Sequence, residues 1–143
     1  MSFDLKIKNG DLVIQNGDLQ QVIDSEKLIQ DILKICLTAV GSNPINPAYG
    51  SYLSRTVIGN PMYTNVIVQV AKSQLNTCLA NLQSLQNAQF RSMQRVTADE
   101  QLAAVTDISV IRSGVDPRLF NVQIKAITKG FKPITTAFQV STI

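Results

Sequence analysis

The sequence predicts an α+β fold: a short N-terminal β-meander, three main helices and a C-terminal antiparallel three-stranded sheet with an exposed edge. Three observations carry this reading. Apolar and polar residues alternate with period two at both ends of the chain, at Phe3, Leu5 and Ile7 and again at Phe120, Val122 and Ile124. Between those ends the apolar residues recur at helical spacing, from Leu28 to Leu85. Glycine and proline mark the joins. With 143 residues, the chain is long enough for one domain over 1–143 to bury its own core without disulfides or metal.

The meander comes first. Asn9 and Gly10 supply the two positive-φ positions of a tight hairpin turn, and Asn16 and Gly17 repeat the device seven residues later. Asn-Gly-Asp-Leu occurs at 9–12 and at 16–19, leaving room only for short strands. A helix follows, with Asp24 or Ser25 as cap and Glu26 at the positive end of its dipole. Its stripe is Leu28, Ile29, Ile32, Leu33, Cys36, Leu37 and Val40, and Gly41 stops it in a left-handed cap. A loop runs through Pro44 and Pro47. A short helix is expected over 51–58, capped by Ser51 and ended by Gly59, Asn60 and Pro61.

The longest helix is predicted over about 64–93, with 87–96 irregular. Val68, Ala71, Leu75, Cys78, Leu82 and Leu85 are spaced 3, 4, 3, 4, 3, the interval of a coiled-coil seam. That stripe suits either an ordinary core helix or a partner-facing seam through Val68, Leu75, Leu82 and Leu85. Thr97 and Glu100 form a capping box that opens a one-to-two-turn helix through Leu102. Strands are then expected around Ile108 and Val110, around Phe120, Val122 and Ile124, and around Ile134, Thr136, Phe138 and Val140.

Composition excludes several kinds of chemistry. The chain has no histidine, which removes His-based general bases, Ser-His and Cys-His catalysis and His-ligated metals. No Asp or Glu occurs between Asp31 and Asp99, and the only glutamates, Glu26 and Glu100, both read as helix N-terminal residues. No facing carboxylate pair of the glycosidase kind can be assembled from what remains. Two distant cysteines give no ligand set, and no phosphate-binding glycine motif is present, so no cofactor is expected. Cys36 and Cys78 fall on apolar stripes and read as reduced core residues. The expectation is a non-enzymatic protein.

The surface is expected to be covered by protein partners. Charged residues are only 16% of the chain, and 23 Asn and Gln match the 23 charged residues. An uncharged polar surface loses less on desolvation than a charged one. The net charge of +3 is spread without a basic cluster or interleaved aromatics, which argues against nucleic acid. No apolar run suits a membrane span or a signal peptide, so synthesis in a cytoplasm is expected.

Residues 26–61 resemble the small baseplate wedge proteins of contractile phage tails, the sheath initiators, whose relatives include type VI secretion and phage-like injection baseplates. The pattern is Glu26, Gln30, Leu33, Leu37, Thr38, Gly41, then Pro47, Tyr49, Gly50, Ser51 and Leu53. Two features depart from the family: Ser42 stands where an acidic residue is usual after the glycine, and no Glu-Pro-Arg triplet occurs in 86–107. The resemblance implies a structural virion protein of the tail baseplate. Six copies would surround a central hub or spike, contact other wedge proteins, and nucleate the tail sheath protein by strand exchange. The added strand is expected along Pro133–Ser141, with Ile134, Thr136, Phe138 and Val140 on one face, and the wedge and hub contact on the sparsely charged helix 64–86 and the Tyr49–Leu53 loop. A version ending at Lys132 is then expected to fold but not to nucleate sheath. Rival readings are a cell-wall hydrolase, a regulatory binding module of the same fold, and the type VI counterpart.

Overall fold

The structure, a computed structural model, describes residues 2–57, 63–92 and 95–141. It is α+β, with small antiparallel strand pairs, three helices and a C-terminal three-stranded antiparallel sheet, in that order. The N-terminal strands are β1 (Asp4–Leu5), β2 (Ile7–Lys8), β3 (Asp11–Leu12), β4 (Ile14–Gln15), β5 (Asp18–Leu19) and β6 (Gln21–Val22). They pair β2 with β3, β4 with β5, and β1 with β6. Asn9 and Asn16 have φ of 54° and 53°, each followed by a positive-φ glycine, so both predicted turns form.

A seven-residue period runs through this unit. Between the pairs, Lys6 N–H donates to Gln20 C=O, Gln20 N–H to Val13 C=O, and Val13 N–H to Lys6 C=O, at 2.8–3.0 Å. The three bonds close a ring, each donor seven or fourteen residues from its acceptor. The Asn-Gly-Asp-Leu repeat is the sequence trace of this threefold arrangement.

Helices α1 (Asp24–Leu37), α2 (Leu53–Val57) and α3 (Thr64–Arg91) follow, then a single 3₁₀ turn (Ala98–Glu100). The sheet is β7 (Leu102–Arg112), β8 (Leu119–Thr128) and β9 (Pro133–Ser141), with β8 central. Helix α3 packs along β7 and α1 along β9, on one face. The core lies between them: Leu28, Ile32 and Ile35 of α1, Leu75 and Leu79 of α3, and Phe120, Val122 and Ile124 of β8. The alternation of β8 is clean, with every second residue buried from Phe120 to Thr128.

Several local expectations are corrected. Helix α1 ends at Leu37, because Thr38 turns to extended backbone (φ −81°, ψ 128°), so Val40 and Gly41 lie beyond the helix. No side chain caps its start; the cap position is Ile23, and Asp24 instead accepts a 2.8 Å bond from Thr97 Oγ1. The capping box of Thr97 and Glu100 is present, but on one 3₁₀ turn, and β7 already begins at Leu102. Helix α3 is regular to Arg91, through part of the stretch expected to fray. Helix α2 starts at Leu53 rather than Ser51; its predicted end at Ile58, Gly59, Asn60 and Pro61, like Met93, lies outside the described residues.

One backbone position tolerates no side chain. Gly50 has φ +121°, and a Cβ there would sit 2.5 Å from the Thr38 carbonyl oxygen. Gly50→Ala is expected to cost about 2–4 kcal/mol through backbone strain and displacement of Thr38. Gly114, with open space around it and no positive φ, should accept alanine within about 0.5 kcal/mol. Urea unfolding of the two variants checks the contrast.

Candidate functional site

The motif residues of 37–53 form a clamp rather than a cleft. Thr38 Oγ1 donates back to Lys34 C=O at 2.6 Å, as a threonine in a last helical turn can. Thr38 C=O then accepts from Ser51 N–H at 2.8 Å, and Ser51 C=O accepts from Val40 N–H at 3.2 Å. Ser51 Oγ donates to Cys36 C=O at 2.6 Å and weakly accepts from Leu53 N–H at 3.4 Å. Gly41 N–H donates to Pro47 C=O, closing the loop between. So Thr38, Gly41, Pro47, Gly50 and Ser51 together fold one loop back onto the end of α1. Ser51 serves α1 more than α2. Leu53 is buried beneath the loop, Tyr49 half-buried, and Leu37 is 60% exposed.

Gln30 fixes the N-terminal strands to α1. Its amide accepts from Ile7 N–H at 2.9 Å and donates to Leu5 C=O at 2.8 Å and to Asp4 Oδ2 at 2.9 Å. Asp4 also pairs with Lys34. Burial pulls the Asp4 carboxyl upward, but the bonds from Lys34 and Gln30 outweigh it and hold the group below its ordinary 3.8. Burial likewise opposes charge on Lys34, and its contacts with Asp4 and Asp31 hold it above the ordinary 10.5. Glu26, in the first turn of α1, is exposed.

The seam of the long helix is spent inside the chain. Leu75 and Leu82 are buried in the core and Val68 is half-buried against it, so of the four seam positions Leu85 alone is exposed. The core reading of that stripe is the one the packing realises. Next to Leu85, the outer side of α3 and the motif loop share a cleft of about 230 Å³ lined by Asn46, Ala48, Tyr49, Asn81, Ser84 and Leu85, all uncharged.

The two sheet edges differ. On β7, the first residues are held by amides of α3: Gln86 donates to Glu100 C=O and accepts from Leu102 N–H, and Gln83 donates to Ala103 C=O. Register shifts between Leu102 and Ala104 and between Val105 and Asp107 kink the strand further. On β9 the pairing with β8 is unbroken over nine residues, from Pro133 to Ser141.

Alternation of the ladder shows which β9 groups are free. Thr128 N–H bonds Lys132 C=O and Ser113 N–H bonds Leu119 C=O. Even-numbered β8 residues therefore serve β9, odd-numbered ones serve β7, and the even residues of β9 are committed to β8. That leaves the N–H and C=O of Thr135, Ala137 and Gln139 on the outer edge. Among the described residues, no other backbone group bonds them. Ile134 and Thr136 are buried and Phe138 and Val140 half-buried, facing the helices. The residues singled out from alternation thus set which way the strand faces, while their odd-numbered neighbours carry the exposed edge. Only the parity of the turn hydrogen bonds separates the two sets. Beside the far end of β9, Leu37, Ser54 and Val140 line a cleft of about 220 Å³ that continues from the edge.

The sequence matches no family profile and no curated protein. Among solved structures, the chain is similar to one described as "putative tail lysozyme" from Geobacter sulfurreducens. The TM-score is 0.62 at 9% identity, covering 82% of this chain and 90% of that one. At that identity the likeness is one of fold.

Two predictions follow from the Gln30 anchor. Gln30→Leu strands Ile7 N–H and Leu5 C=O and should cost about 2–3 kcal/mol. Amide exchange at Ile7 should speed up more than exchange in α3. The Asp4 contribution is complete above the ordinary carboxylate value of 3.8 and is lost as pH falls through and below it. The Lys34 contribution is complete below 10.5 and is lost as pH rises past it. Chemical shifts of 4–22 followed against pH should move at both limits, before the core unfolds.

Proposed function

We propose that this chain is a non-enzymatic baseplate component of a contractile phage tail, a wedge protein that seats the first sheath ring. The observation that carries the reading is the open β9 edge. It is nine residues long, in unbroken register with β8, and carries three outward N–H and three outward C=O groups between Thr135 and Gln139. An extended arm of the tail sheath protein adds there as a fourth strand, drawn by main-chain hydrogen bonds. Its side chains meet Leu37 at the cleft beside β9. The uncharged cleft between Tyr49 and Leu85 receives other wedge proteins or the central hub, in multiple copies around the tail, with assembly in the host cytoplasm. A fold shared with a protein described as a tail lysozyme supports the tail setting. The motif of 26–61 points the same way.

The non-enzymatic part is supported by where the carboxylates are used. Glu100 is buried and accepts from Ser2 N–H, Ser2 Oγ and Thr97 N–H, and Asp99 accepts from Thr128 Oγ1. Each is committed to holding backbone or a strand end. A type VI baseplate subunit would use the same edge in the same way.

Cutting the chain after Lys132 is not a clean test, because Ile134 and Thr136 are part of the core and β8 would lose its partner. Ala137→Pro is. Proline removes one outward N–H, breaks no bond to β8, and is tolerated on an edge strand. The variant should keep its circular dichroism and melt within about 5 °C of the parent, yet lose at least tenfold in affinity for the cognate sheath subunit. Undiminished sheath binding by a folded Ala137→Pro protein would reject the β9 site.

A further inference from the structure

The sequence separates Cys36 and Cys78 by a loop, a short helix and half of α3, and treats each as an inert core residue. The fold brings them together. Cys36 Sγ of α1 and Cys78 Sγ of α3 lie 3.6 Å apart, both free thiols. A disulfide needs about 2.05 Å, so closure asks for roughly 1.5 Å of movement from two short side chains on packed helices. Both cysteines are almost fully buried, but each contributes to the lining of a surface cleft. Cys78 lines one of about 210 Å³ with Gly50, Ser51, Gln74 and Asn81. Cys36 lines the cleft beside β9.

We propose that Cys36 and Cys78 are a dithiol oxidation site, which a small disulfide reagent converts to an intramolecular bridge locking α1 onto α3. One of the two sulfurs attacks as its thiolate. It displaces one thiolate from the reagent, forming a mixed disulfide on that cysteine. The second thiol, 3.6 Å away, then gives up its proton, attacks the first Sγ and releases the second thiolate. Two protein thiols and one disulfide become one protein disulfide and two small thiols, so the reagent takes up both electrons and both protons. The chemistry reverses with excess thiol.

The bridge matters mechanically because Cys36 C=O is also the acceptor for Ser51 Oγ. Fixing Cys36 to α3 fixes the same turn of α1 that holds the motif loop and borders the β9 cleft. The site is independent of the partner proposed for β9.

The test uses the intact protein and hydroxyethyl disulfide. After exposure and removal of reagent, the mass should fall by about 2 Da, and iodoacetamide under denaturing conditions should modify neither cysteine. Dithiothreitol should restore both. The bridged chain should melt about 10 °C higher than the reduced one. The variant that keeps only the attacking cysteine, Cys36→Ala or Cys78→Ala, should stop at a stable adduct. Two alkylatable thiols after exposure, a stable adduct on the parent chain, or a disulfide-linked dimer would each overturn the site. A bridged chain that melts no higher than the reduced form would overturn the clamp.

Discussion

The turn at the end of α1 is held from outside the helix, by Ser51. Its hydroxyl reaches the carbonyl of Cys36, its N–H reaches Thr38, and its carbonyl receives Val40. A helix end leaves several carbonyls without partners. Here two of the acceptors near that end are supplied with donors by a residue that also begins the path into α2. The direction in which α1 leaves the sheet and the place where α2 enters the core are thus set by one residue. The contact demands a close approach of two backbones, which only a residue without Cβ allows at position 50. The lie of α1 over β9, and so the exposure of that strand's edge, descends from this crossing.

A second habit of the molecule is to use neutral amides where other proteins use charge. Gln30, Gln83 and Gln86 each bond backbone groups of a neighbouring element, and Gln30 and Gln86 are buried while doing so. A buried amide pays a smaller desolvation penalty than a buried ion and offers both a donor and an acceptor. Gln86 uses both ends on adjacent backbone groups around Gln101, which fastens the first turn of β7 to α3. The richness in Gln, read from composition as a sign of covered surface, is thus partly internal scaffolding.

Period-two and 3.6 patterns made the element order legible, and the Asn-Gly turns and the Thr97 capping box were legible because their chemistry is local. What escaped was decided at a distance. Leu37 fits the apolar stripe of α1, yet it is exposed because Ser51 draws the chain out of the helix one residue later. Ile35, off the predicted stripe, is fully buried because the core around α1 is built by several elements, β9 and α2 as well as α3. The early start of β7 at Leu102 depends on Gln86, sixteen residues away. At the interaction edge, alternation identified the strand and its buried face. Which backbone groups point outward is a property of hydrogen-bond phase, and side-chain polarity carries no record of it.

The ring joining Lys6, Val13 and Gln20 makes the N-terminal unit indivisible. Each of the three residues donates to one neighbour and accepts from the other, so losing any one strand segment leaves a donor and an acceptor bare on the remaining two. Strand pairs only two residues long have no reserve of hydrogen bonds to absorb that loss. A chain shortened past Lys6 would therefore not keep two-thirds of the unit; it would release all of it, and leave Gln30 facing water. Length variation in this region is tolerated only outside the ring, in the turns at Asn9 and Asn16, where a longer loop leaves the closed circuit intact.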